Sequence, residues 1–371
     1  MTWLEWAGEQ ADAIHAADRW RAPHDLDAAG AEGKLAPDGR PVVSYASNDY
    51  LGLTQHPAVV EAAHAALDRW GAGSGSARLI VGSRPVHGEL ETALADWRRT
   101  ERAVVFPTGF ATNLGVMTTF GGPGVVMCSD ELNHASIIDG CRLSRSRVEV
   151  YAHRDLDHLA DLLCAAAPDE RRVVVTDTVF SMDGDRAPVD GLIDLCADHR
   201  ALLVLDEAHA VLGPDPDVGR APDVAVLRVG TLSKTLGALG GFVAGPAALT
   251  ELIVNRARSY IFTTAPTPAD TAAALAAVGV VRSAEGETLT ARLRAAVERL
   301  RPGHPSPIIP VVLGDERRTL AAAADLLEHG MLVPAIRPPT VAPGTSRLRV
   351  TLSAAHTDAQ VDALARALAE L

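Results

Sequence analysis

The 371-residue chain carries 34 Lys and Arg against 47 Asp and Glu, a formal charge of −13, with 47% hydrophobic and 22% charged residues. That size and balance describe a globular protein with room for more than one domain, and the acidity argues against a nucleic-acid backbone or an anionic membrane as partner. No apolar run reaches the roughly 18 residues of a membrane span, the acidic N-terminus lacks the basic start of a secretory signal, and Cys128, Cys141, Cys164 and Cys196 show no C-x-x-C spacing. A cytoplasmic protein with buried cysteines and no metal site is expected.

In chain order, residues 1–22 predict an amphipathic helix, and a polar stretch rich in Gly, Asp and Pro follows to about residue 41; together they form an arm over 1–43. From 44 to 246 short β-branched runs alternate with Ala/Leu-rich helical segments. This pattern makes a mostly parallel sheet covered by helices, an α/β domain. Seven strands are expected, at 103–106, 125–128, 148–151, 172–177, 202–206, 224–229 and 241–244. After 247 the pattern changes to one long Ala-rich helix over 268–301, a strand at 308–313, a helix near 320–329 and a strand at 347–352. A smaller α+β domain over 247–371 follows.

Only two lysines occur, Lys34 in the arm and Lys234 in Arg228-Val-Gly-Thr-Leu-Ser-Lys234, with glycines on both sides. An amine can lose its proton and form an imine with a carbonyl, which a guanidinium cannot. An arginine-rich composition with one leftover lysine is the competing explanation. Leu202-Leu-Val-Leu-Asp-Glu-Ala-His209 reads as a buried strand ending in acid, acid and histidine, where ligands of parallel sheets bind. An ATPase with metal-binding Asp206-Glu207 would need G-x-x-x-x-G-K-[ST], but Arg228 and Ser233 stand where the two glycines belong. Pyridoxal phosphate chemistry needs a lysine for the Schiff base and an aspartate opposite the pyridine nitrogen; Lys234 and Asp206 supply both. His209 would meet the phenolic oxygen, a core histidine being the alternative. Thr108-Gly109 before a helical run from Phe110 offers backbone N–H groups to a phosphate, and Thr231 adds a hydroxyl. His134, beyond another strand end, can stack on the ring, while Asn133 and Ser136 also read as helix caps. The glycine run from Gly71 to Arg78 misses G-x-G-x-x-G and reads as a flexible loop.

These pieces come with Ser47-Asn-Asp-Tyr-Leu-Gly-Leu53, Ser74-Gly-Ser-Ala-Arg78, Thr108-Gly-Phe-Ala-Thr-Asn113, Thr176-Asp-Thr-Val-Phe-Ser-Met-Asp-Gly-Asp185 and Arg347-Leu-Arg-Val-Thr-Leu-Ser-Ala-Ala-His356. In these motifs, over nearly its whole length, the chain resembles the α-oxoamine synthase family of fold-type I enzymes that use pyridoxal 5'-phosphate. The resemblance implies a seven-stranded large domain, a smaller C-terminal domain, and decarboxylative condensation of an amino acid with an acyl thioester. Ala335-Ile-Arg-Pro-Pro-Thr-Val341 resembles the branches that use alanine with a pimeloyl thioester or serine with palmitoyl-CoA. In overall length and short arm the chain resembles the branch that uses L-alanine and a pimeloyl thioester, a step of biotin biosynthesis, with CoA and acyl carrier protein both open as carriers; a serine palmitoyltransferase-like or glycine C-acetyltransferase-like substrate pair is the alternative. It further implies Lys234 as Schiff-base lysine and general base, Asp206 at the ring nitrogen, His134 over the ring, Ser181 and His209 near the phenolic oxygen, and Gly109, Phe110 and Thr231 around the phosphate. Thr264 would reach the phosphate of the other subunit, which implies a homodimer. Arg349, Arg337, Thr340, Asn48 and Arg21 would meet substrate. Ala210-Val-Leu-Gly213 and Ser83-Arg-Pro85 depart from the family pattern. A cofactor-binding scaffold subunit is the non-enzymatic alternative, and such subunits lack the lysine present here.

Overall fold

The computed structural model describes residues 1–17, 19–213 and 215–371. Its strands are β1 (Leu26–Ala28), β2 (Glu32–Leu35), β3 (Arg40–Ser44), β4 (Arg102–Phe106), β5 (Val125–Asp130), β6 (Arg147–Tyr151), β7 (Arg171–Asp177), β8 (Leu202–Asp206), β9 (Val226–Thr231), β10 (Gly241–Gly245), β11 (Ile308–Gly314), β12 (Met331–Leu332), β13 (Ala335–Ile336) and β14 (Ser346–Thr351). A seven-stranded sheet runs β4-β10-β9-β8-β7-β5-β6. Its β6-β5-β7-β8-β9 part is parallel, and β10 pairs antiparallel with both β9 and β4. The mostly parallel seven-stranded sheet expected from the alternation is therefore present.

Both faces of this sheet are covered, as a parallel sheet requires. Successive residues of one strand serve opposite cores: Val125 and Met127 pack with Val116, Ile137 and Leu227, while Val126 and Cys128 pack with Leu159, Ile193 and Leu203. A third core joins Tyr50 and Leu53 to helices Pro268–Val281 and Ala284–Leu300 and to β11 and β14. The smaller sheet is β11-β14-β13, flanked by helices Glu316–Glu328 and Asp358–Ala369.

Four expectations need correction. The first helix spans Trp3–Ala16, not 1–22; Pro23 disfavours helical backbone at Ala22, residues 19–22 are outside any helix, and residue 18 lies outside the described residues. The stretch before residue 41 is not featureless: β1, β2 and β3 form an antiparallel ribbon, and β12 adds to β3 in parallel. These strands are short and half exposed, so no alternation marks them. The single helix over 268–301 is two, because the Ser283 hydroxyl accepts from the Gly286 N–H and starts a new helix. Of the cysteines, Cys164 is exposed rather than buried. Among the described residues no helix is long and apolar enough to cross a membrane, and no group of three or more His, Cys, Asp and Glu is placed to hold a metal ion.

His153 links β5 to the loop after β7. Its ring nitrogens lie 3.0 Å from Asp130 Oδ1 and 2.9 Å from Asp185 Oδ2. Burial lowers its pKa, but the two carboxylates outweigh burial and raise it from 6.5 to about 9. A raised folded pKa contributes stability fully below the unfolded value and loses it as pH climbs through the folded one. Replacing His153 with Ala should therefore lower the urea midpoint at pH 6–7 and lose this effect above pH 9. Equal destabilisation at both pH values would show the ring to act by packing alone.

Candidate active site

Parallel pairing places the ends of β7 and β8 side by side, with Asp177 opposite Asp206. The main-chain oxygen of Asp206 accepts from the N–H and hydroxyl of Thr178, locking the two ends together. β5 ends nearby and leads to His134, and β9 leads within three residues to Lys234. These groups line a cavity of about 210 Å³ together with Thr108, Gly109, Phe110, Asn113, Ser136 and Thr231.

Lys234 Nζ lies 2.9 Å from His209 Nε2, and His209 Nδ1 lies 2.5 Å from the Tyr50 hydroxyl. Tyr50 donates to Asn48 Oδ1, 3.3 Å away, which also accepts from Arg349 at 3.1 Å. A lysine in the loop after β9 is thus connected, one bond at a time, to an arginine on β14. Burial lowers the Lys234 pKa, Asp206 and Asp177 oppose it, and Arg349 adds to it. Burial and then Lys234 push His209 well below its usual value, so its ring is neutral. Asp177 is driven well above the carboxylate range by burial and by Asp206 beside it, against the His134 N–H and Lys234. Asp206 itself accepts from the Ala208 N–H at 2.9 Å and from Asn113 Nδ2 at 2.7 Å. His134 is held below its ordinary pKa by burial, with Asp206 opposing and Lys234 reinforcing.

At the other end of the cavity, helix Gly109–Phe120 begins. The Thr108 hydroxyl caps it by accepting from the Ala111 N–H, and the first N–H groups, those of Gly109 and Phe110, have no helical acceptor. Together with the positive dipole end they offer donors of the kind an anion can use. The chain after Lys234 turns at Gly237, with φ of 60°, where a Cβ would lie 2.6 Å from the Thr54 nitrogen; only glycine fits that turn and approach.

The structure brings Lys234, Asp206, His209, His134, Gly109, Phe110 and Thr231 to one cavity and joins Asn48 and Arg349 to it through Tyr50. The Ser181 carbonyl accepts from Arg349 Nε. Arg21, Arg337 and Thr340 gather elsewhere, where the arm meets the loop before β14: Arg21 donates to the Pro338 carbonyl, Arg337 to the Trp20 carbonyl, and Thr340 N–H to the Arg337 carbonyl. Thr264 is exposed and pairs with Ala77. Asn133 does not cap a helix: it donates to Ser129 and the Val175 carbonyl and accepts from the Asp177 N–H. The cap of helix Ala135–Ser144 is His134. Asn113, Asp177 and Tyr50 lie within the sequence motifs, but no site role is expected of them from the sequence. A polar Asn inside an apolar helical run was the available signal.

The profile of the aminotransferase class I and II family matches residues 40–368. The chain belongs to the aminotransferase class I and II family. Within this family it is 48% identical to the 8-amino-7-oxononanoate synthase of Anaeromyxobacter dehalogenans, covering 99% of this chain and 95% of that one, and 46% identical to that of a Methylobacterium species, covering 93% and 94%. Among solved structures, serine palmitoyltransferase from S. paucimobilis with bound PLP-myriocin superposes with a TM-score of 0.91 at 28% identity over 99% of this chain and 98% of that one. These relatives bear out the resemblance to α-oxoamine synthases and the fold-type I architecture.

The cavity's geometry depends on a close approach: a Cβ at Gly241 would lie 2.5 Å from Thr112 Oγ1 and 2.6 Å from the Gly109 nitrogen. Gly241→Ala should displace the start of the helix and cost about 1–3 kcal/mol. Chemical denaturation measures this, and an unchanged midpoint would show that the helix start yields freely.

Proposed function

We propose that this chain condenses L-alanine with a pimeloyl thioester, releasing carbon dioxide and giving 8-amino-7-oxononanoate for biotin biosynthesis in the cytoplasm. The observation that carries the reading is the cavity in which Lys234, Asp206, His209 and His134 converge beside a helix N-terminus. Relatives at 44–49% identity named 8-amino-7-oxononanoate synthase support the choice of substrates.

The donor set fits pyridoxal 5'-phosphate. A buried carboxylate, an amine held in a depressed state, a facing imidazole and a phosphate-sized set of free N–H groups line one space, and Asn113 Oδ1 is buried there without a partner. When bound, the cofactor supplies an electron sink for the substrate Cα. Lys234 is the residue that would hold it covalently and, as a free amine, would move the Cα proton; burial lowers its pKa and so favours the form able to accept one. Asp206 would hold a proton at the ring nitrogen, His134 would cover the ring, Gly109, Phe110 and Thr231 would bind the phosphate, and Ser181 and His209 would meet the phenolic oxygen. Arg349 donates to Ser181, Thr351 and Asn48, and its guanidinium would also meet the alanine carboxylate. Arg337, Thr340 and Arg21, gathered where the arm meets the loop before β14, would meet substrate from there. Residues 1–43, 44–246 and 247–371 act in this reading as arm, large domain and C-terminal region.

A homodimer belongs to the same proposal. Leu79, Ile80, Val81 and Phe262 are 49%, 73%, 70% and 69% exposed. They adjoin because Ala77 pairs with Thr264 and the Ala265 N–H donates to Ser76. An apolar patch of this kind marks an interface, and a second copy there would bring Thr264 to the facing phosphate site. Ile80→Asp should shift sedimentation from dimer to monomer; a monomeric wild-type protein would remove this part of the reading.

Incubation with pyridoxal phosphate, each of Gly, Ala and Ser, and pimeloyl-, succinyl-, acetyl- or palmitoyl-CoA tests the substrates, with product expected from Ala and pimeloyl-CoA. Preference for glycine, or no pimeloyl product, would overturn it. Lys234→Ala should lose turnover by more than about 10³-fold together with the visible absorbance of lysine-bound cofactor.

A further inference from the structure

Asn113 sits one turn beyond Gly109 on the phosphate-facing helix and is 2% exposed. Asparagine is a poor helix-interior residue, and its Oδ1 is buried without a partner, which costs stability. Neither fact suits a residue kept for folding. Its amide nitrogen donates to Asp206 Oδ2 at 2.7 Å and to Ser136 Oγ at 2.9 Å. The orientation follows from chemistry, since a carboxylate only accepts and so faces the NH₂ group.

The same nitrogen makes Ser136 Oγ an acceptor, which frees the Ser136 hydroxyl hydrogen to donate to His134 Nδ1, 2.7 Å away. The Ser136 backbone N–H also points at Nδ1, at 3.2 Å. With two donors aimed at Nδ1, the imidazole proton resides on Nε2. A neutral His134 is consistent with its depressed pKa.

We propose that Asn113 is a positioning residue that aims the Asp206 carboxylate into the cavity and, through Ser136, fixes His134 as its Nε2–H tautomer. One helix then sets both ends of the site: Gly109 at the phosphate end and, four residues on, Asn113 at the ring end. The catalytic consequence rests on the cofactor reading above, but the tautomer does not.

The test has two arms. In the first, ¹⁵N NMR of histidine-labelled protein without added cofactor reads the tautomer, with His134 assigned through His134→Gln. Wild type should show Nε2–H alone, Asn113→Leu and Ser136→Ala a mixture, and Ser136→Thr the single tautomer again. In the second, with pyridoxal phosphate bound, Asn113→Leu should shift the cofactor absorbance and lower kcat by about 10–100-fold with KM for alanine changed less than about threefold. An unchanged tautomer in Asn113→Leu and Ser136→Ala overturns the proposal, whatever happens to the melting temperature. A wild-type protein that binds no pyridoxal phosphate overturns the cofactor reading instead, and the first arm then decides the positioning role.

Discussion

The structure depends on two carboxylates held side by side at the end of a parallel sheet. Asp177 and Asp206 are register partners on β7 and β8, both nearly buried, and two like charges there cannot both be retained cheaply. The protein resolves this asymmetrically. Asp206 receives N–H donors from Ala208 and Asn113 and faces the cavity, while Asp177 takes only the His134 N–H on its side chain and is driven toward its neutral form. The amine of Lys234 lies within the field of both.

From that pair the rest of the site follows outward. His209 and Tyr50 carry a hydrogen-bonded path from Lys234 to Asn48 and Arg349, crossing from the seven-stranded sheet to β14 of the smaller one. Arg349 is tied in turn to Ser181 and Thr351, so a displacement of either sheet is felt at the amine. Coupling a reactive group to both layers of the fold is what lets binding energy gained at one be used at the other.

Much was legible before the structure. Seven strands were marked by β-branched runs because a sheet buried on both faces needs continuous apolar residues, and half of the large-sheet strand ends were misplaced, each by one or two residues. Lys234, Asp206, His209, His134 and Gly109, which line one cavity, stand out in the sequence because each lies near a strand end or helix start, where chemistry-bearing types are out of place for packing. The arm's ribbon was missed because β1 and β2 bury little and so carry no pattern, and the break at Arg282-Ser283 was missed because alanine is helical on either side of it.

The sequence by itself determined which residue types were available and where the chain turns: one lysine outside the arm, an acid-rich strand end, and a capped helix behind a glycine. Those are local properties, set by side-chain chemistry and backbone freedom. Only the tertiary structure decided which of them meet, that Asn113 donates to Asp206, that Tyr50 bridges His209 to Asn48, and that Arg21 and Arg337 gather at the arm rather than at the lysine. Contacts of this kind join residues up to 317 positions apart, and no local signal encodes a partner that distant; sheet register and core packing do.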